Sequence, residues 1–118
     1  MRRGDRDRLL DIQDAISGVE KHTRAGRTVF DQDEPVQNLV LRHIQIIGEA
    51  ARGISSDLRQ RHPEVEWKEI IAMRNLLVHR YFGIDKEIVW KVVEHDLPDL
   101  KAKIAAILTE LGAGAGGD

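Results

Sequence analysis

The chain has 118 residues, of which 42% are hydrophobic and 32% charged, with a formal net charge of -2 at pH 7. This length suits one domain with one hydrophobic core, and the lack of cysteine excludes disulfides and thiolate metal sites. The near-neutral charge excludes a globally basic nucleic-acid binder, so any contact with RNA must be a local patch. Because no apolar run reaches about 18 residues and the N-terminus lacks a signal-peptide core, we expect a cytoplasmic protein without a membrane span.

Apolar residues recur with a helical period along the chain, which predicts an all-α domain. The first helix is predicted from about Asp5 to about Arg24 and ends at Gly26. Its apolar face comprises Leu9, Ile12, Ile16 and Val19. In the linker that follows, Val29 and Phe30 are expected to pack against the core.

A second long helix is predicted to begin after Pro35 and to close at Gly53 and Ser55. Its core face is expected from residues at helical spacing, namely Val36, Leu39, Val40, His43, Ile46, Ile47, Ala50 and Ile54. A short helix follows with Ser55 or Ser56 as its cap, and Pro63 then breaks the chain.

The next helix is predicted from about Glu66 to Gly83, and Asp85 is expected to cap the last helical segment. Pro98 predicts a kink or a restart before Leu100. We expect residues 1–111 to form a single domain and the glycine-rich residues 112–118 to form a flexible tail.

The stretch "RNLLVHRY", residues 74–81, places polar residues where the core face of a helix is expected. On a helical wheel at about 100° per residue, Arg74 and Tyr81 fall within the apolar arc that starts at Trp67. A guanidinium there is costly unless it meets a carboxylate, another subunit or a bound anion. Glu49, in "IIGEAARG", is the candidate structural partner for Arg74, and a functional site is the alternative.

The five histidines show no metal-ligand spacing, so neither a metal site nor a cofactor is predicted. His43 falls in the apolar stripe of the second long helix and is predicted to be a hydrogen-bonded core or interface residue. His62 precedes Pro63 and is predicted to lie in a turn.

Arg74, Asn75, His79 and Tyr81 form the pattern R-N-x-x-x-H-x-Y. Together with "IIGEAARGIS", "HPEVEWKEIIAMRN" and "YFGID", this pattern resembles the HepT-like branch of the HEPN superfamily over about residues 8 to 111. The resemblance implies an antiparallel bundle of four to five helices that forms a twofold dimer. It also implies a toxin that cleaves RNA without a metal ion and is encoded beside a minimal nucleotidyltransferase antitoxin of the MntA type.

Within that resemblance each residue of the motif has an implied role. Arg74 and His79 are implied to be catalytic, Asn75 to support them, and Tyr81 to receive AMP from ATP by the action of the antitoxin. The chemistry of the side chains agrees, because the unperturbed pKa of histidine, about 6.5, suits proton transfer near neutral pH. A fixed guanidinium can likewise meet the charge that develops on a phosphate during cleavage.

The spacing of Arg74 and His79 adds a geometric constraint. The two residues diverge by about 140° around one helix, so a single copy does not easily aim both at one phosphate. A twofold interface would let Arg74 of one subunit approach His79 of the other, which predicts a composite cleft at a homodimer seam. The alternative is a catalytically silent helical subunit that binds the nucleotidyltransferase, or a nucleotide, through the same polar cleft.

Overall fold

The computed structural model describes residues 4–78 and 85–116, and side chains within residues 4–73 and 85–112. All regular structure in these ranges is helical, which confirms the all-α prediction. The elements are α1 (Asp5–Thr23), α2 (Arg27–Gln32), α3 (Glu34–Gly53), α4 (Ser56–Arg61), α5 (Trp67–Val78), α6 (Lys86–Lys91), a π-helical turn (Val92–Asp96) and α7 (Leu97–Gly116).

Helix α3 packs against both α1 and α5, and α7 packs against α1. The core between them is aliphatic, with few aromatic side chains. Its largest fully buried members are Phe30, Leu9, Ile12, Ile16, Ile44, Ile47, Ile54, Leu58, Ile104, Ile107, Val19 and Val40. Burial at several positions on α1, α3 and α7 gives each helix one apolar stripe to contribute to the same core.

Three helices begin at a residue whose side-chain oxygen accepts a hydrogen bond from the backbone N–H three residues later. Asp33 caps α3 at 3.1 Å, Ser55 caps α4 at 3.2 Å and Asp85 caps α6 at 3.2 Å. Such caps satisfy N–H groups that have no partner within the helix. The predicted caps at Ser55 and Asp85 are therefore confirmed.

The first turn of α1 is joined to the connection between α3 and α4. The Asp5 carboxylate accepts hydrogen bonds from the Ser55 backbone N–H at 2.8 Å and from the Ser55 hydroxyl at 2.6 Å. Ser55 thus caps α4 and donates to Asp5 at the same time, which fixes the end of α3 relative to the start of α1.

The predicted core face of α3 is wrong at two positions. Leu39 and Ile46 are 39% and 38% exposed, whereas Ile44 and Ala51, outside the predicted face, are fully buried. The buried arc is displaced because α3 packs against α5 as well as α1. The apolar pattern of α3 continues beyond that arc, and periodicity alone did not show where burial stops.

The prediction for the linker after α1 is half correct. Phe30 is 1% exposed, while Val29 is 46% exposed. The linker forms the short helix α2, in which adjacent residues point about 100° apart. In this short helix Phe30 faces the core, and Val29 points away from it into solvent.

The irregularity predicted around Pro98 is a π-helical turn directly before it. The Leu97 N–H donates to the Val92 carbonyl, five residues back. The buried residues Val92 and Leu97 are accordingly five positions apart, whereas buried positions on one face of an α-helix recur every three or four residues. Because proline lacks an N–H and its ring crowds the preceding turn, a wider turn at this point is physically reasonable.

Helix α7 continues to Gly116, so residues 112–116 of the predicted flexible tail are helical, and the last two residues lie outside the described ranges. Among the described helices, none combines the length and the apolar character needed to cross a bilayer.

Candidate functional site on helix α5

Helix α5 carries the first two residues of the polar motif. Trp67 and Ile70 on this helix are 6% and 9% exposed. Arg74 follows Ile70 by four residues and Trp67 by seven, so by helical register position 74 shares their face of α5. Asn75 is the next position along the same helix.

The structure describes the predicted site residues only in part. The side chains of Arg74 and Asn75, and the whole of His79 and Tyr81, lie outside the described residues. The backbone therefore places Arg74 and Asn75 in one helix, and the convergence of all four residues stays a prediction.

Glu49, the predicted partner of Arg74, is an exposed residue of α3, the helix against which α5 packs. By helical register it lies about 180° around α3 from the fully buried Val40. The predicted pairing of Glu49 with Arg74 stays a prediction, since the Arg74 side chain is outside the described residues.

The start of α5 is fixed by a buried histidine. His62 is 7% exposed, and its carbonyl accepts a hydrogen bond from the Trp67 indole N–H at 3.0 Å. Its Nδ1 lies 2.9 Å from the Glu64 carboxylate. The pKa of Glu64 lies below its usual value, first because its carboxylate accepts a hydrogen bond from the Glu64 backbone N–H and next because of the hydrogen bond with the His62 side chain. His62 is in a turn, as predicted, but it is also a buried anchor for the motif helix.

His43 occupies the interface between α3 and α1, as predicted for a core or interface residue. Its ring stacks on that of His22, with 5.9 Å between centroids, and it lies against Gly18. The His43 Nδ1 is buried without a hydrogen-bond partner among the described atoms, so the predicted hydrogen bond is not seen there. Burial, and then the charges of His22 and Arg42, lower the pKa of His43.

A groove of about 660 Å³ opens along the side of α5, between this helix and the segment from α6 to α7. The sequence predicted only the start of a helix near Glu66 and did not predict this groove. The spacing of Glu66 and Glu69, one helical turn apart, is the signal that could have pointed to it. No cluster of histidine and carboxylate side chains suited to a metal ion occurs in the part of the chain that the structure describes.

Comparison with known proteins places these features in a family. The family model described as "Ribonuclease HepT-like" matches residues 12–107. "Probable ribonuclease HepT" of Thermococcus cleftensis is 42% identical over 106 residues, covering 87% of this chain and 94% of that protein. "Putative RNase MJ1380" of Methanocaldococcus jannaschii is 37% identical over 100 residues, covering 84% of this chain and 92% of that protein.

A third relative from M. jannaschii, "Gamma-glutamylcyclotransferase and putative RNase MJ0434", is 35% identical over 112 residues, which are 94% of this chain but 50% of that protein. No solved structure gives a significant match. The family match spans most of the helical bundle, including the start of the polar motif in α5. This chain belongs to the HepT-like ribonuclease family.

Proposed function

We propose that this protein is a toxin that cleaves RNA internally, without a metal ion, in a cleft shared by two copies of the chain. A cognate minimal nucleotidyltransferase neutralises it in the cytoplasm by transferring AMP to Tyr81. The observation that carries the proposal is the motif R-N-x-x-x-H-x-Y, which begins on the buried face of α5 in a chain of a ribonuclease family.

The proposed reaction uses the 2′-hydroxyl of the RNA itself. His79 accepts the hydroxyl proton, the 2′-oxygen attacks the adjacent phosphorus, and the bond from phosphorus to the 5′-oxygen breaks. The products are a 2′,3′-cyclic phosphate and a free 5′-hydroxyl after that oxygen regains a proton. Arg74 donates hydrogen bonds to the phosphate oxygens as their charge increases. Asn75 orients the imidazole or binds a phosphate oxygen.

The register of α5 supports a cleft shared between subunits. Position 74 shares the face of α5 that carries Trp67 and Ile70, both buried. A guanidinium at such a position needs an anion or a neighbouring chain to offset its desolvation. A twofold seam supplies a neighbouring chain, and the RNA phosphate supplies an anion.

Transfer of AMP explains how the toxin would be silenced. The Tyr81 phenol oxygen attacks the α-phosphorus of ATP, and pyrophosphate leaves. On the predicted helix Tyr81 follows Arg74 by seven residues, or about two turns, so the attached phosphate and nucleoside would lie close to Arg74. The attached group therefore neutralises the cation and blocks the RNA by its size.

The test is cleavage of a labelled RNA in the presence of a metal chelator. The wild type should cleave the RNA and, when expressed in cells, should arrest their growth. Arg74→Ala and His79→Ala should lower the rate of RNA cleavage about a hundredfold or more, because each removes a group that acts in the transition state. Treatment with the nucleotidyltransferase and ATP should silence the wild type but not Tyr81→Phe.

The controls are Arg61→Ala and His95→Ala, which change exposed residues of the same types. Both should retain wild-type activity. Cleavage that persists in His79→Ala, or that requires added metal, would contradict the proposal. In that event a non-catalytic subunit of a nucleotidyltransferase complex would be the better description.

A further inference from the structure

The groove beside α5 has an apolar floor. Its volume of about 660 Å³ lies within the range of about 300–1,000 Å³ typical of ligand-binding sites. The apolar residues that line it come from α5, α6, the π-helical turn and α7. They include Ile70, Met73, Ile88, Val92, Leu97 and Leu100.

The rim of the groove is acidic. Among the residues that the structure describes, four carboxylates line it, from Glu66, Glu69, Asp96 and Asp99, against two lysines, Lys91 and Lys103, and the exposed His95. One of the lysines is already paired, because the Lys103 ammonium lies 2.8 Å from the Asp99 carboxylate. The rim thus keeps an excess of negative charge.

Carboxylates on the α5 side of the rim are close enough to interact. The neighbouring Glu66 carboxyl raises the pKa of Glu69, first through hydrogen bonding with it and then through the charge of Glu66. Burial and the charge of Asp96, on the opposite side of the groove, raise it further. Like charges held together in this way are stabilised when a cation arrives from outside.

We propose that this groove docks a short amphipathic helix of a partner protein, with apolar side chains on the floor and lysine or arginine against Glu66, Glu69 and Asp96. The apolar lining and the volume suit several aliphatic side chains from one helix face. The excess of carboxylates selects a basic segment by charge complementarity and disfavours the phosphates of RNA.

A partner bound in the groove would contact α5, the helix on which the motif begins. Met73 lines the groove and directly precedes Arg74 in α5. A partner bound there contacts α5 beside the candidate catalytic position, which makes the groove a point from which activity can be modulated. The docking itself stands without the proposed nuclease activity and is tested by binding alone.

The test begins with a display library of random peptides selected on the full-length protein. The expected consensus combines apolar residues at helical spacing with lysine or arginine. The best peptide, labelled with fluorescein, is then measured by fluorescence anisotropy at low and high salt. Its affinity should fall as salt rises, because screening weakens the contacts with the acidic rim.

Two groove variants and one control locate the binding site. Glu69→Lys reverses a charge on the rim. Ala72→Arg replaces an exposed alanine of the groove wall by a large cationic side chain. Each should weaken binding about tenfold or more. Asp14→Lys makes the same kind of charge reversal on exposed α1, outside the groove, and should leave the affinity unchanged. Circular dichroism should confirm that all three remain folded.

The proposal is overturned if selection enriches no peptide or only acidic ones. It is also overturned if the groove variants bind the selected peptide as the wild type does, or if RNA competes for the groove. Nuclease activity is measured separately, so a failure of docking and a failure of the catalytic proposal are distinguishable.

Discussion

Gly18 of α1 lies directly against the side chain of His43 in α3. A Cβ atom at this position would lie 2.6 Å from Cε1 and 2.7 Å from Nε2 of the His43 ring. The ring cannot move away freely, because it also stacks on His22. The absence of a side chain at position 18 is therefore a requirement of the packing between the two helices.

We predict that Gly18→Ala lowers the free energy of unfolding by about 1–3 kcal/mol, the usual cost of overfilling a packed interface. Equilibrium unfolding in urea measures the change. The matched control is Gly112→Ala in α7, where an added Cβ meets nothing within 4 Å. That control should be neutral or stabilising by about 0.5–1 kcal/mol, because alanine favours a helix over glycine. Equal effects of the two substitutions would refute the packing argument.

At the scale of the elements, the contact between α1 and α3 contains two stacked imidazoles, and the His43 Nδ1 has no hydrogen-bond partner among the described residues. Burial is the largest cause of the lowered pKa of His43, followed by the charges of His22 and Arg42. A histidine whose folded pKa lies below its unfolded value of about 6.5 binds protons more readily in the unfolded chain. Its contribution to stability is therefore lost as the pH falls from above 6.5 toward the folded pKa.

We predict that wild type and His43→Phe differ in how stability depends on pH. The free energy of unfolding of the wild type should fall relative to that of His43→Phe between pH 7.5 and pH 5.5, because only the wild type carries the partly buried His43 imidazole, whose pKa is lowered in the folded state. Urea unfolding across this range tests it. His95→Gln, which alters an exposed imidazole, should keep the wild-type dependence. Parallel curves for wild type and His43→Phe would contradict the prediction.

Sequence patterns predicted the elements better than the faces of the elements. Caps at Ser55 and Asp85 were predictable because a short polar side chain before an apolar run has few other roles. The exposure of Leu39 and Ile46 was not, because it depends on where neighbouring helices end their contact with α3. The groove was likewise hidden, since it is built from segments distant in sequence.

At the scale of the whole molecule, the proposed cleft depends on assembly into a dimer. The motif could be located from sequence because arginine and tyrosine interrupt the apolar stripe of the helix predicted from about Glu66 to Gly83. Family membership is supported by similarity over most of the chain. The sequence predicts that Arg74 meets His79 only across a second copy, because the two positions diverge on the predicted helix. The distance between their side chains could not be predicted from one chain.

We predict that mixing two inactive variants restores activity. When Arg74→Ala and His79→Ala are unfolded together and refolded, each mixed dimer regains one cleft with Arg74 from one subunit and His79 from the other. Random pairing makes half of the dimers mixed, so cleavage should return to about a quarter of the wild-type rate. Cleavage of the labelled RNA measures it. Each variant refolded alone is the control, and a mixture that stays inactive would contradict a cleft shared between subunits.

The π-helical turn has a consequence for how the chain tolerates changes in its length. It holds one residue more than an α-helical path from Val92 to Leu97 would need. Loss of one residue among the exposed Glu94, His95 and Asp96 would shorten the interval between those buried residues from five positions to four. Both flanking segments would keep their inward faces aligned, so a single codon can disappear here with little disturbance to the interior.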